Sequence, residues 1–230
     1  MTEIVVALDM ATAEDALALL DRLPRARWVK VGSILFTREG PALIDQLRRR
    51  GLSVFLDLKW HDIPNTVAGA VAAARHAGAA MVTVHTLGGG EMMRAARAAA
   101  GDDLAIVGVT VLTSHDDASF ARVVGRRGVK AATEVLRLAE SAAAAGLAGI
   151  VCSPREARLV RERLGPAATL VVPGIRRSTD PADDQRRTAT AAEAVRDGAT
   201  HLVVGRPITT AAEPAEVLAE LMREGGCDAG

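Results

Sequence analysis

Apolar residues fall in short, nearly continuous runs at residues 4–8, 28–32, 54–58, 81–85, 104–112, 149–153, 169–173 and 201–205. Most are rich in β-branched residues and apolar throughout rather than alternating, the pattern of parallel strands whose outer face is covered by helices. Between them lie Ala- and Leu-rich segments with helical spacing, over 13–22, 38–50, 66–77, 91–99, 131–145, 154–163, 191–197 and 214–223. Several run into a glycine (Gly51, Gly78, Gly146, Gly198), where a left-handed residue is expected to end the helix. Eight strand–helix units in 230 residues predict an α/β chain folded as one TIM (β/α)8 barrel. The competing architecture is a doubly wound open sheet, but no GxGxxG turn follows the first strand. No repeat, low-complexity linker or domain boundary interrupts the pattern. Residues 1–230 therefore read as a single domain, with a flexible tail expected after about residue 224. Two connections are long, 113–130 after the fifth strand and 176–190 after the seventh, and loops of that size are uncommon unless functional.

A barrel carries its chemistry at the carboxyl ends of its strands. Taken in order, those ends supply Asp9, Lys30, Asp57 with Lys59, His85, Thr113, Arg176 and Arg206. The densest stretch is Phe55-Leu-Asp-Leu-Lys-Trp-His-Asp-Ile-Pro-Asn-Thr66. Strand alternation places Asp57 and Lys59 on one face. Asp62 follows in the turn, before Pro64 and Asn65 open a helix. Burying such an acid–base–acid cluster is costly, which favours a chemical reason for it. Flanking carboxylates favour the ammonium form of a lysine, which can then protonate a carbanion, and they repel an anionic substrate group. A surface salt-bridge cluster is the alternative reading.

At the other side of the mouth, Gly205 and Arg206 directly follow the eighth strand. A side-chain-free backbone N–H and a guanidinium suit a phosphate, and the loops after strands seven and eight commonly hold one. The seventh loop adds Arg176 and the run Asp184-Gln-Arg-Arg187. Pairing of Arg206 with a surface carboxylate is the alternative there. His61 reads as a packing or orienting residue, with a catalytic role as the alternative, and His85 as a structural histidine or equally a substrate contact; no His, Asp and Glu spacing suggests a metal site. Gly88-Gly-Gly90 lacks the Lys-Ser/Thr of a phosphate loop and reads as a helix entry.

Bulk composition narrows the class without naming the reaction. Lys plus Arg and Asp plus Glu number 28 each, so no global field draws in nucleic acid or a membrane surface. An anionic ligand must be met by local cations. Two cysteines, Cys152 and Cys227, argue against a disulfide framework. The chain enters its first strand without a signal-like segment, and no apolar run approaches a membrane span. These features together predict a cytoplasmic enzyme.

The ordered motifs resemble the orotidine 5′-phosphate decarboxylase family over most of the chain. Asp57-Leu-Lys-Trp-His-Asp-Ile-Pro-Asn-Thr66 is similar to its DxKxxDIPNT signature. Lys30-Val-Gly, Phe36-Thr-Arg-Glu-Gly-Pro41, Val111-Leu-Thr-Ser114, Pro173-Gly-Ile-Arg176, Asp184-Gln-Arg-Arg187 and Val204-Gly-Arg-Pro-Ile-Thr209 follow in register. The likeness is to the free-standing bacterial form, without a fused phosphoribosyltransferase. It implies decarboxylation of orotidine 5′-monophosphate to UMP, the last step of pyrimidine synthesis, with no metal or organic cofactor. It implies Lys59 as proton donor to C6, flanked by Asp57 and Asp62, with Lys30 completing an alternating charge network. Asp9 and Lys30 would hold ribose hydroxyls. A homodimer is implied, with Asp62 and Thr66 reaching in from the partner subunit. Thr113, or less surely Ser114, would meet the pyrimidine edge, and Gln185, Arg206 and the Gly205 backbone would hold phosphate with Arg176 at the loop hinge. Related Mg2+-dependent enzymes that act on 3-keto-gulonate 6-phosphate or form hexulose 6-phosphate share DxKxxD, but carry a metal-holding Glu where this chain has Lys30. A lysine ammonium cannot ligate Mg2+. A non-catalytic phosphate-binding barrel would be expected to lose one of Lys30, Asp57, Lys59 and Asp62, and all four are present.

Overall fold

The computed structural model describes residues 2–177 and 188–227. Its strands are β1 (Glu3–Leu8), β2 (Trp28–Gly32), β3 (Ser53–Trp60), β4 (Met81–His85), β5 (Ala105–Val109), β6 (Gly149–Val151), β7 (Thr169–Pro173) and β8 (His201–Val204). They close in sequence order, β8 pairing back onto β1, and every pairing is parallel. The helices are α1 (Ala13–Asp21), α2 (Ser33–Glu39), α3 (Pro41–Arg49), α4 (Pro64–Ala77), α5 (Gly89–Ala100), α6 (Asp117–Val123), α7 (Ala131–Ala144), α8 (Pro154–Leu164), α9 (Ala191–Arg196), α10 (Arg206–Thr209) and α11 (Pro214–Glu224). The open-sheet alternative is excluded.

Period-two alternation divides each strand between two cores. Outward residues such as Val6, Leu8, Val29, Leu56, Val82, Leu202 and Val204 pack with helix residues in one large cluster. Inward residues Val5, Ala7, Phe55, Met81, Val107, Val171 and Val203 form a second, smaller cluster inside the barrel. With both faces buried, the strands read as continuous apolar runs. The inner core is small and its largest member is Phe55, so it fills the lower barrel and leaves the upper part to polar side chains.

Three local departures have physical causes. The helix expected over 38–50 is two helices, because Gly40 takes φ 69° and Pro41 then opens α3 at a position where its missing N–H costs nothing. The apolar run 104–112 is strand only to Val109, and the following connection carries α6, started by a reciprocal Asp116–Ser119 capping box. At the other end, the described chain stays packed a little beyond 224. Cys227 N–H donates to the Met222 carbonyl at 2.8 Å and Cys227 is buried, so packing continues to the last described residue. The triple glycine is a helix entry as expected, with α5 starting at Gly89.

Candidate active site

The inward face of the first four strands is apolar below and polar above. It reads Val5 and Ala7 on β1, then Asp9 just past its end; Trp28 and Lys30 on β2; Phe55, Asp57 and Lys59 on β3; Met81, Thr83 and His85 on β4. The polar upper members are the ones that sequence motifs single out, with Thr83 as an addition.

Strand β3 does not reach its end as a regular strand. Leu56 pairs with Val82 and Trp60 with Val84, so residues 57, 58 and 59 face one residue of β4, Thr83. Lys59 takes φ 53°, and it is the only described non-glycine residue with a left-handed φ. That conformation costs a lysine about 1–2 kcal/mol. Irregularities of this kind re-aim a side chain beside a site. The Lys59 ammonium donates to Asp57 Oδ2 at 2.8 Å. Its own backbone N–H donates to Thr83 Oγ1 at 2.8 Å, and the Thr83 hydroxyl donates to Asp57 Oδ1 at 3.0 Å. Simple alternation predicts that Asp57 and Lys59 meet, and they do, although a distorted strand end brings it about.

Lys30 makes a second pair, its Nζ donating to Asp9 Oδ1 at 2.7 Å. The two partners differ in environment: the Lys30 side chain is 10% exposed and that of Asp9 58%. Glycine at 32 makes room for them. A Cβ there would stand 3.2 Å from both Asp9 Oδ1 and Lys30 Nζ, a distance that would force the pair to shift. Lys30 and Asp57 are not joined by an ion pair among the described residues, nor are Lys59 and Asp62. Within one chain the charges form two pairs rather than the continuous alternating network that the family resemblance implies.

Two cavities open at this end and share Lys30, Pro173 and Val203 in their walls. The inner one, about 150 Å³, is lined by Asp57, Lys59 and Lys30 together with Phe55, Val109, Val111, Val151 and Val171. Thr113 lines it and Ser114 does not. The outer one, about 380 Å³, is bounded by Asp9, Gly174, Arg176, Gly205, Arg206 and Thr209. A Cβ at Gly205 would meet Ala7 Cβ at 3.7 Å and Asp9 Oδ2 at 4.0 Å, and both of those residues line the same cavity. A bare backbone at 205 therefore keeps that space clear. Together the cavities suit a ligand with a flat, partly apolar head and an anionic tail, with Lys30 between them.

His85 continues the inward face of β4 above Thr83 and stacks on His61, ring centroids 5.4 Å apart. Burial first, then the electrostatic influence of His61 and Lys59, push its imidazole down to about 4, so His85 is neutral at pH 7. It is therefore a poor proton source at that pH, and it lines neither cavity, whereas Lys59 and Lys30 both face the inner one.

Arg176, Gln185, Asp62 and Thr66 complete the residues singled out from the sequence. Arg176 begins the connection after β7, where its N–H donates to the Ala189 carbonyl at 2.9 Å and draws the two ends of that loop together. Gln185, with Asp184, Arg186 and Arg187, lies outside the described residues. Asp62 and Thr66 are exposed and line neither cavity. The Asp62 carboxylate accepts the N–H of Ile63 at 2.7 Å. Ile63 beside it is 66% exposed, and Ile34 at the start of α2 is 68% exposed.

Sequence reasoning missed Thr83 and assigned no role to Gly32, although the motif Lys30-Val-Gly contains it. Gly32 left a signal, since a glycine closing an apolar strand two residues after a lysine marks a close approach. Thr83 left none, because a threonine inside a buried strand is ordinary.

The family described as Orotidine 5'-phosphate decarboxylase / HUMPS matches residues 2–221. The orotidine 5'-phosphate decarboxylase of Alkalilimnicola ehrlichii is 55% identical over 227 residues, covering 97% of this chain and 96% of the relative. That of Halorhodospira halophila is 51% identical over 225 residues, with 96% and 94% covered. The crystal structure of the orotidine 5'-phosphate decarboxylase of Lactobacillus acidophilus superposes with a TM-score of 0.88 at 35% identity, covering 98% of this chain and 99% of that one.

Proposed function

The chain belongs to the orotidine 5′-phosphate decarboxylase / HUMPS family, and from that premise we propose how its residues convert orotidine 5′-monophosphate to UMP and CO2 in pyrimidine biosynthesis. The observation that carries the scheme is the Lys59–Asp57 pair, held at 2.8 Å in the wall of the inner cavity. The pyrimidine occupies that cavity, with Thr113 at its edge. Its ribose lies against Lys30 and Asp9, and its phosphate reaches the outer cavity at Gly205 and Arg206, with Gln185 and Arg176 completing the grip.

In the reaction the C6–carboxylate bond breaks and leaves its electron pair on C6. No carbonyl is placed to delocalise that pair, so the enzyme must stabilise it electrostatically. The Lys59 ammonium does so, and one of its protons ends on C6, after which the lysine regains a proton from water. Asp57, fixed beside the substrate carboxylate, adds repulsion that is relieved as CO2 leaves. Phosphate, remote from the reacting carbon, supplies binding energy that holds the ring against Lys59.

Cation chemistry at Lys30 favours this reaction over the Mg2+-dependent branch, because an ammonium paired to Asp9 occupies the position that branch needs for a carboxylate ligand. Purified protein is therefore expected to consume orotidine 5′-monophosphate, followed by absorbance, at a rate unaffected by EDTA. Loss of turnover with EDTA that Mg2+ restores would assign the chain to the other branch. A cytoplasmic location belongs to the same reading: no disulfide joins Cys152 and Cys227, and no helix among the described residues is long and apolar enough to cross a membrane.

The working unit we propose is a two-fold dimer in which Asp62 and Thr66 complete the partner's site. Their exposure next to the bare apolar surface of Ile63 supports this. Lys59→Ala and Asp62→Asn chains, each inactive alone, should then regain activity when mixed. Each mixed dimer has one site with both native residues. Half the dimers are mixed, so recovery should approach roughly one quarter of the parent rate. No recovery, with subunit exchange verified by differently tagged chains, would return Asp62 to its own subunit.

A further inference from the structure

Thr83 is fully buried at 0% exposure and belongs to neither ion pair, yet its hydroxyl touches both the backbone and the counterion of Lys59. It stands alone opposite residues 57, 58 and 59, where the ladder between β3 and β4 loses register. An irregular strand leaves backbone groups without ladder partners. The Lys59 N–H goes instead to Thr83 Oγ1 at 2.8 Å. Proton bookkeeping then fixes the direction of the second bond. An amide can only donate, so the hydroxyl accepts from Lys59 and turns its single proton to Asp57 Oδ1, 3.0 Å away. Asp57 thereby accepts at both oxygens, from Thr83 at Oδ1 and from the Lys59 ammonium at Oδ2. The ring of contacts runs from Thr83 to the Lys59 backbone, along its side chain to Asp57, and back to Thr83.

We propose that Thr83 is a positioning residue for the decarboxylation, its hydroxyl holding the left-handed Lys59 backbone and the Asp57 carboxylate in one fixed frame. This rests on the reading of Lys59 as the proton donor. Valine would fill the same volume, so shape alone does not call for a threonine here. A hydroxyl buried this deeply is costly unless bonded, and this one spends both its bonds on the acid–base pair. Because it touches neither cavity, its contribution falls on the placement of Lys59 rather than on substrate affinity.

The test compares Thr83→Val and Thr83→Ser with the parent in orotidine 5′-monophosphate turnover, UMP titration and thermal unfolding. Counting sites by UMP stoichiometry removes any loss due to unfolded protein. Per UMP-binding site, kcat of Thr83→Val is expected to fall ~10–100-fold, with KM and the UMP Kd within about threefold of the parent. Thr83→Ser, which keeps the hydroxyl, is expected to recover kcat to within about threefold. A kcat per site within about twofold of the parent for valine, or a serine variant as slow as valine, overturns the proposal. Should Thr83→Val not fold, Thr83→Cys keeps the size with only a weak donor and is read by the same split. If the parent is active and Lys59→Ala is not, failure here removes Thr83 alone. A parent without turnover would instead sink the reading of the site.

Discussion

Lys59→Ala is expected to lower kcat by at least about 10⁴-fold while UMP still binds within about tenfold of the parent affinity, because it removes both the charge facing C6 and the proton that ends there. Proton donation and charge stabilisation are separate contributions, and in the proposed scheme one side chain supplies both. Binding survives because UMP carries its phosphate, and Gly205 and Arg206 lie in a different cavity from Lys59. Asp57 keeps the Thr83 bond at Oδ1 when Lys59 is gone, so the carboxylate is not stranded. Stopped-assay turnover and UMP calorimetry on the same preparation give the two numbers. Residual turnover within about a hundredfold of the parent would exclude Lys59 as the proton donor.

The fold was legible because its signal is long-range and redundant. Eight apolar runs at regular spacing survive errors of several residues at each end, and the parallel order follows from the helices between them. The site was legible where charge broke the apolar pattern, at Asp9, Lys30, Asp57 and Arg206. What escaped was geometry that no spacing encodes. Alternation of two predicts that Asp57 and Lys59 meet, but not that residues 57 to 59 stand opposite one residue, nor that Lys59 is left-handed. Both depend on a contact with β4, 24 residues away in sequence at Thr83. The split of the helix at Gly40 is a different kind of miss. Glycine followed by proline was visible, yet the apolar spacing on either side stayed in phase across the break.

Arg206→Ala separates binding from chemistry in the opposite sense to Lys59→Ala. Nothing in the inner cavity changes, since Arg206 lines only the outer one. Loss of a charge-assisted, bidentate contact to a dianion should lower kcat/KM by about 10²–10³-fold, roughly 3–4 kcal/mol. Arg206→Lys should fall between, because an ammonium restores the charge but not the planar fork. The decisive comparison uses orotidine, the same ring and ribose without phosphate. Its slow decarboxylation should change by less than about threefold between parent and Arg206→Ala, because the arginine has nothing to hold. In the proposed scheme binding energy from the phosphate keeps the ring against Lys59, so truncating the substrate and truncating the arginine remove the same interaction and their effects should not add. If orotidine suffers as much as the phosphorylated substrate, Arg206 acts through the fold of the β8 end rather than on the phosphate, and the outer cavity is not the phosphate site.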